Sequence, residues 1–273
     1  MQLEASAAGC WAALQACRER SPLVQCTTNF VSMDIMANTL LAAGASPAMA
    51  HSIGEVEDFV GIASALLVNV GTLSDDWVGG MRLGAQAAVA GGKPWVLDPV
   101  GCGATLYRSE VCAGLLRLKP TIVRGNASEI LALAGAAGGP TKGVDSTAAA
   151  DDDALHAAQA LARQHGCVVA VSGAEDLVTD GSRVLRVANG VPLLQQITAT
   201  GCSVTALVAA FVCLFPGQPL EENAAALSYF GLAAELAAAD GAKGPGSLRV
   251  GLLDHLWTLS QEQVLAGSKI REG

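Results

Sequence analysis

Three stretches of this 273-residue chain bring together residue types that can bind or activate an anion. The first is Asp98–Thr105 (DPVGCGAT), in which an apolar run ends on a carboxylate followed by Gly101 and Gly103. Glycines there let backbone N–H groups approach an anion closely, and the carboxylate can hold a metal ion. An ordinary strand-to-helix turn, with Asp98 capping the next helix, is the other reading. The second stretch is Arg124–Ile130 (RGNASEI). Asn126 with Glu129 three residues later matches a capping box. The same spacing also sets an amide and a carboxylate side by side at a positive helix end, which suits a hydrated magnesium ion beside phosphates. Arg124, a permanent cation at the end of an otherwise apolar run, suits a phosphate.

The third stretch, Ile197–Phe211 (ITATGCSVTALVAAF), leads small residues into a strongly apolar helix. Unpaired N–H groups at Thr200, Gly201 and Cys202 then form an anion hole that needs no side chain. In that first turn the helix field is expected to draw the Cys202 thiol below its usual ~8.5. A buried cysteine behind a helix cap is the alternative. Two upstream segments, 27–49 and 69–73, carry Asn29, Met33, Met49 and Gly71. Methionines commonly line sites for flat apolar ligands, although packing of an N-terminal helix accounts for them equally well.

These residues need a scaffold, and hydrophobic periodicity supplies one. A helix is expected at 6–18, an extended segment at Gln25–Val31 and a helix at Asp34–Ala43. Strand-like runs follow at Ser64–Val70, Trp95–Leu97, Thr121–Val123 and Cys167–Val171, separated by alanine-rich helices at about 75–91, 106–117, 126–135 and 153–165. Such alternation means an α/β architecture, with a mostly parallel central sheet flanked by helices on both faces. Leu177–Ile197 reads as a hairpin turning at Asp180-Gly181 and then another extended segment. Helices are expected at Ser203–Phe215, Leu220–Ala239 and Leu252–Gly267. With no linker, charge block or repeat, residues 1–273 are assigned to a single domain. Open α/β sheets bind ligands beyond the carboxyl ends of their strands, and the loops there are where chemistry is expected.

Composition narrows the choice of partners. Hydrophobic residues make up 51% of the chain and charged residues 15%, the reverse of a disordered polymer. Sixteen basic against 25 acidic residues leave a net charge of −9, which repels a phosphodiester backbone, so no nucleic-acid partner is expected. The longest nearly apolar run, Ser203–Phe215, reaches about 20 Å as a helix, short of the roughly 30 Å of a bilayer core, and no membrane partner is expected. The N-terminus carries Glu4 and Glu19 and lacks a basic region ahead of a long apolar one, so a cytoplasmic location is expected. The eight cysteines include no CxxC pair; seven are read as reduced core residues, with Cys202 set apart.

Taken in order, TNFVSMDIMANTLLAAGASPAM, NVGTL, WVLDPVGCGAT, IVRGNASEI, KGVDS, VAVSGAEDLVTDG, TATGCSVTA and KGPGS resemble the hydroxyethylthiazole kinases of the ribokinase-like superfamily, over roughly residues 20–265. The resemblance implies transfer of the ATP γ-phosphoryl group to the primary hydroxyl of 4-methyl-5-(2-hydroxyethyl)thiazole in thiamine biosynthesis. It also implies magnesium as cofactor and a homotrimer with active sites between subunits. Position by position it implies thiazole contacts at Met49 and Ala199 with Asn29 and Gly71 nearby. ATP contacts fall at Arg124, Ser172, Asp98, Asn126, Thr200 and Gly201, and the metal at Asp98 and Glu129. Cys202 falls where most ribokinase-like relatives place a catalytic aspartate. Where the family usually reads TGAGC this chain has TATGC, so Ala199 replaces a glycine, and alanine makes a positive φ less expected there. Ser172 stands where threonine is typical. Alternatives are a kinase for hydroxymethylpyrimidine or pyridoxal, whose relatives carry aspartate at the Cys202 position, a thiol enzyme using Cys202, or a non-catalytic nucleotide-binding sensor.

Overall fold

Alternate side chains of a central strand must be buried against opposite layers, and Ala65–Asn69 shows the pattern: Ala65 and Leu67 join one apolar core, Leu66 and Val68 the other. The computed structural model describes residues 2–138 and 147–273, so the KGVDS segment at 142–146 lies outside the described residues. Its strands are β1 (Leu23–Thr27), β2 (Ser46–Ala48), β3 (Ala65–Asn69), β4 (Trp95–Asp98), β5 (Ile122–Asn126), β6 (Val168–Ser172), β7 (Asp176–Thr179), β8 (Val184–Val187) and β9 (Ile270–Glu272). They form one sheet in the order β2-β1-β3-β4-β5-β6-β7-β8-β9. Every neighbouring pair from β2 to β6 is parallel, and β7, β8 and β9 continue the sheet antiparallel.

Helices cover both faces, as expected. On one side lie α1 (Ala7–Arg20), α2 (Met33–Ala43), α8 (Thr200–Phe211), α9 (Pro219–Ala239), α10 (Pro245–Thr258) and α11 (Gln261–Gly267); on the other lie α3 (Val56–Ile62), α4 (Asp75–Ala90), α5 (Leu106–Leu116), α6 (Ala127–Ala136) and α7 (Thr147–His165). Local signals start several of them. The Ser74 hydroxyl accepts from Trp77 N at the start of α4, and Thr105 accepts from Arg108 N at the start of α5. The first helix is sewn to the far end of the chain. Its Arg18 donates to the carbonyls of Leu256, Trp257 and Leu259 at the end of α10, and Arg20 donates to Leu214 O at 2.7 Å.

Several expectations need correction. The extended segment stops at Thr27, because the Asn29 side chain accepts from Val31 N and Ser32 N and turns the chain into α2. Part of the segment expected to be extended after the hairpin is a 3-10 helix, Pro192–Gln196, opened by proline at its first position. The last helix is two, broken where Ser260 caps α11 by accepting from Gln263 N. Helix α8 begins at Thr200, three residues earlier than expected.

Candidate active site

The chain reverses its direction of winding between β1 and β3, since β1 pairs with β2 on one side and β3 on the other. Such a switch opens a crevice at the carboxyl ends of the strands. Along that edge Asn69 ends β3, Asp98 ends β4, Arg124 and Asn126 lie at the end of β5, and Ser172 ends β6. A cleft of about 670 Å³ beside them is lined by Asp98, Arg124, Asn126, Glu129, Ser172, Asp176 and Ala199–Cys202, and runs on to an apolar end at Val191, Leu194, Leu227 and Phe230. Nine of the twelve residues assigned by the resemblance therefore line one cleft. Asn29, Gly71 and Met49 do not line it; Asn29 and Gly71 meet at the ends of β1 and β3, and Met49, half-buried, follows β2.

Arg124 is the cation of the cleft. Its guanidinium donates to the Ser172 hydroxyl, its Nε is buried without a partner, and among the described residues it has no ion pair. A guanidinium at the wall of a cleft with no carboxylate paired to it is suited to an incoming anion. Gly201 makes room for it, because a Cβ there would stand 2.9 Å from Arg124 Nη1. The first turn of α8 points its N–H groups at the same place, with no side-chain cap. The Thr200 hydroxyl spends its one hydrogen on Leu194 O and Ile197 O, which leaves the backbone N–H as the donor for an anion.

Two carboxylates also line the cleft. Asp98 is buried, and its Oδ2 accepts from Asn69 Nδ2 at 2.8 Å and Thr205 Oγ1 at 2.9 Å. Burial pushes its pKa up to about 6, against the pull of Arg124. Glu129 completes the expected capping box, accepting from Asn126 N with one oxygen (2.9 Å) and from Gly101 N with the other (2.8 Å). The residue that completes the α6 cap thus also lines the cleft. For Cys202 the expectation of a lowered pKa is overturned. Burial first, and the Asp98 charge second, push the thiol up to about 12, outweighing an Asn69 hydrogen bond and Arg124. Ala199 is a second correction, adopting φ 63° as the residue before α8.

Sequence reasoning missed Asn69, Thr205, Asp176 and Arg108. Asp176, half-buried near Arg124 and accepting from Gly173 N at 3.0 Å, has its pKa raised by desolvation. Arg108 of α5 donates to the carbonyls of Val70, Val100 and Gly71, tying the loops after β3 and β4 together. Only the break of apolar character at Asn69, at the end of ALLVN, was a readable signal.

The hydroxyethylthiazole kinase family model matches residues 14–262. A hydroxyethylthiazole kinase of Zea mays is 55% identical over 263 residues, covering 95% of this chain and 92% of the relative, and one from Arabidopsis thaliana is 52% identical, covering 94% and 92%. This chain belongs to the hydroxyethylthiazole kinase family. The solved structure of a hydroxyethylthiazole kinase protein from Pyrococcus horikoshii OT3 superposes with a TM-score of 0.89 at 41% identity, over 97% of this chain and 98% of that one. A pyridoxal kinase from Staphylococcus aureus, solved with AMP-PCP and pyridoxal, shares the fold alone (TM-score 0.58, 15% identity, 77% and 86% covered). The fold of this hydroxyethylthiazole kinase family member is therefore ribokinase-like. Membership of a kinase family implies ATP as co-substrate.

Proposed function

We propose that the cleft binds ATP and delivers its γ-phosphoryl group to the primary hydroxyl of 4-methyl-5-(2-hydroxyethyl)thiazole, within one kinase domain spanning the chain. The observation that carries this reading is the Arg124 guanidinium, without an ion pair among the described residues, lying against the uncapped N-terminus of α8 at the wall of a cleft that ends in apolar residues. Phosphoryl transfer asks chiefly for positioning and charge neutralisation. Arg124 and the N–H groups of Thr200–Cys202 neutralise the transferring group, Ser172 orients the guanidinium, and the apolar end receives the base. Cys202, with its thiol protonated at neutral pH, shapes the acceptor side rather than taking the proton. Asn29, Gly71, Met49 and Ala199 are proposed to border the thiazole.

Magnesium belongs to this proposal. Among the described residues no three acidic, cysteine or histidine side chains gather as a metal cage, which accords with an ion that enters largely hydrated and phosphate-bound. Asp98 and Glu129 would hold it, and because both already accept hydrogen bonds, through its waters. When bound it supplies neutralisation of phosphate charge. Exposed Phe30 and Val31 beside Asn29, with Phe30 packed edge-on against the Trp77 ring at 5.0 Å, fit burial against another copy in a homotrimer that completes the thiazole site. No described helix is long and apolar enough to cross a membrane; a cytoplasmic location is proposed alongside. The test is ADP release with a panel of primary alcohols, with and without magnesium. Hydroxyethylthiazole is expected to be preferred over hydroxymethylpyrimidine and pyridoxal, and a preference for either of those refutes the assignment.

A further inference from the structure

Asn69 is a fully buried polar group beside the site, and the kinase reading gives it no role. It ends the apolar strand β3, is fully buried, and stands in register with Asp98 on β4. Burying an amide in such a strand is costly unless every donor and acceptor is used. Here they are used in two directions. Its Oδ1 accepts from Asn29 Nδ2 (2.9 Å) and from Gly71 N (3.0 Å), while its Nδ2 donates to Asp98 Oδ2 (2.8 Å). Gly71 has no room for a side chain, since a Cβ would lie 2.2 Å from Asn29 Nδ2 and 2.9 Å from Asn69 Oδ1.

We propose that Asn69 is a positioning residue that joins the two half-sites, holding the loop at Asn29 and Gly71 through its oxygen and the Asp98 carboxylate through its nitrogen. The inference rests on the kinase reading and deepens it. Only an amide does both jobs at this length. Aspartate would keep the oxygen side but set a second carboxylate against Asp98, whereas alanine would keep neither. The carboxylate on the phosphate side and the loop on the acceptor side then cannot shift independently, and phosphoryl transfer is sensitive to misplacement of that kind.

The test separates the two sides. Binding is measured by calorimetry, with hydroxyethylthiazole alone and with a non-hydrolysable ATP analogue alone, no metal being added, and turnover is measured separately. Asn69→Ala is expected to weaken thiazole binding by about tenfold and lower kcat by about 10–100-fold, the loss of one hydrogen bond to a neutral and one to a charged group, while affinity for the ATP analogue changes by about twofold or less. Asn69→Asp, which retains the acceptor for Asn29 and Gly71, is expected to recover thiazole binding while kcat stays low. A merely structural residue would lose or keep both together. Folded variants with wild-type kcat, or an Asn69→Asp protein that loses thiazole binding as fully as Asn69→Ala, would overturn the proposal. If Asn69→Ala does not fold, Asn29→Ala isolates the acceptor side, and unchanged thiazole binding there counts against it. Wild-type thiazole phosphorylation is measured in parallel: its absence sinks the kinase reading itself, whereas an active wild type with unaffected variants sinks only the role of Asn69.

Discussion

At Cys202 two effects oppose each other, and the larger one reverses what the helix end alone would do. A helix N-terminus favours a thiolate, but half-buried Cys202 is largely withdrawn from water with the Asp98 charge near it, and its pKa rises to about 12. A protonated thiol has no general-base role at neutral pH, so Cys202→Ala is expected to retain kinase turnover to within about tenfold, where loss of a true base costs ~10²–10⁴-fold. Steady-state ADP release checks it, and complete inactivity of the folded variant contradicts it. Ala199 poses the second residue-scale question. Its φ of 63° costs an alanine about 1–2 kcal/mol that glycine avoids, against roughly 0.4–1 kcal/mol of extra unfolded-chain entropy. Ala199→Gly is therefore expected to raise Tm by about 2 °C in thermal unfolding. Neither property was legible in the sequence, because neither desolvation nor φ is a property of the string TATGC. Arg124 and Glu129 were legible because a cation ending an apolar run and a capping spacing are local patterns.

Among the elements, long periodic segments were readable and short ones were not. Runs such as Ser64–Val70 carry enough apolar residues to mark a strand. Strand β2 is the three residues Ser-Pro-Ala and β9 is Ile-Arg-Glu, and each is a strand only through its neighbour, β1 or β8. The join between α8 and α9 was equally silent. There Glu222, fully buried, accepts from Leu214 N and Phe215 N with Oε1 while Oε2 has no partner. Burial lifts its pKa from 4.5 to about 8, assisted by Glu221 and opposed by those two N–H groups. A carboxyl raised on folding contributes stability that is complete below pH 4.5 and lost as pH rises through about 8. Thermal stability of Glu222→Gln, whose amide stays neutral, should match wild type near pH 5 and exceed it by a few degrees near pH 9; a Tm difference independent of pH contradicts this.

For the whole molecule, the proposed homotrimer makes activity depend on concentration. Dilution is expected to dissociate the assembly and reduce turnover in parallel, with hydroxyethylthiazole protecting both by mass action. Light scattering alongside ADP release reads the two together, and a fully active monomer refutes a shared site. The stitching of α1 onto the end of α10 has a consequence for biosynthesis. Helix α1 leaves the ribosome long before α10, and Arg18 reaches its acceptors only when Leu256–Leu259 have been made. Its apolar face, with Cys10, Leu14 and Cys17 buried in the finished fold, has no native partner on α9 or α10 until those helices have emerged. At ~5–20 residues per second that is a wait of tens of seconds, the interval in which a nascent hydrophobic segment is open to chaperone capture or aggregation.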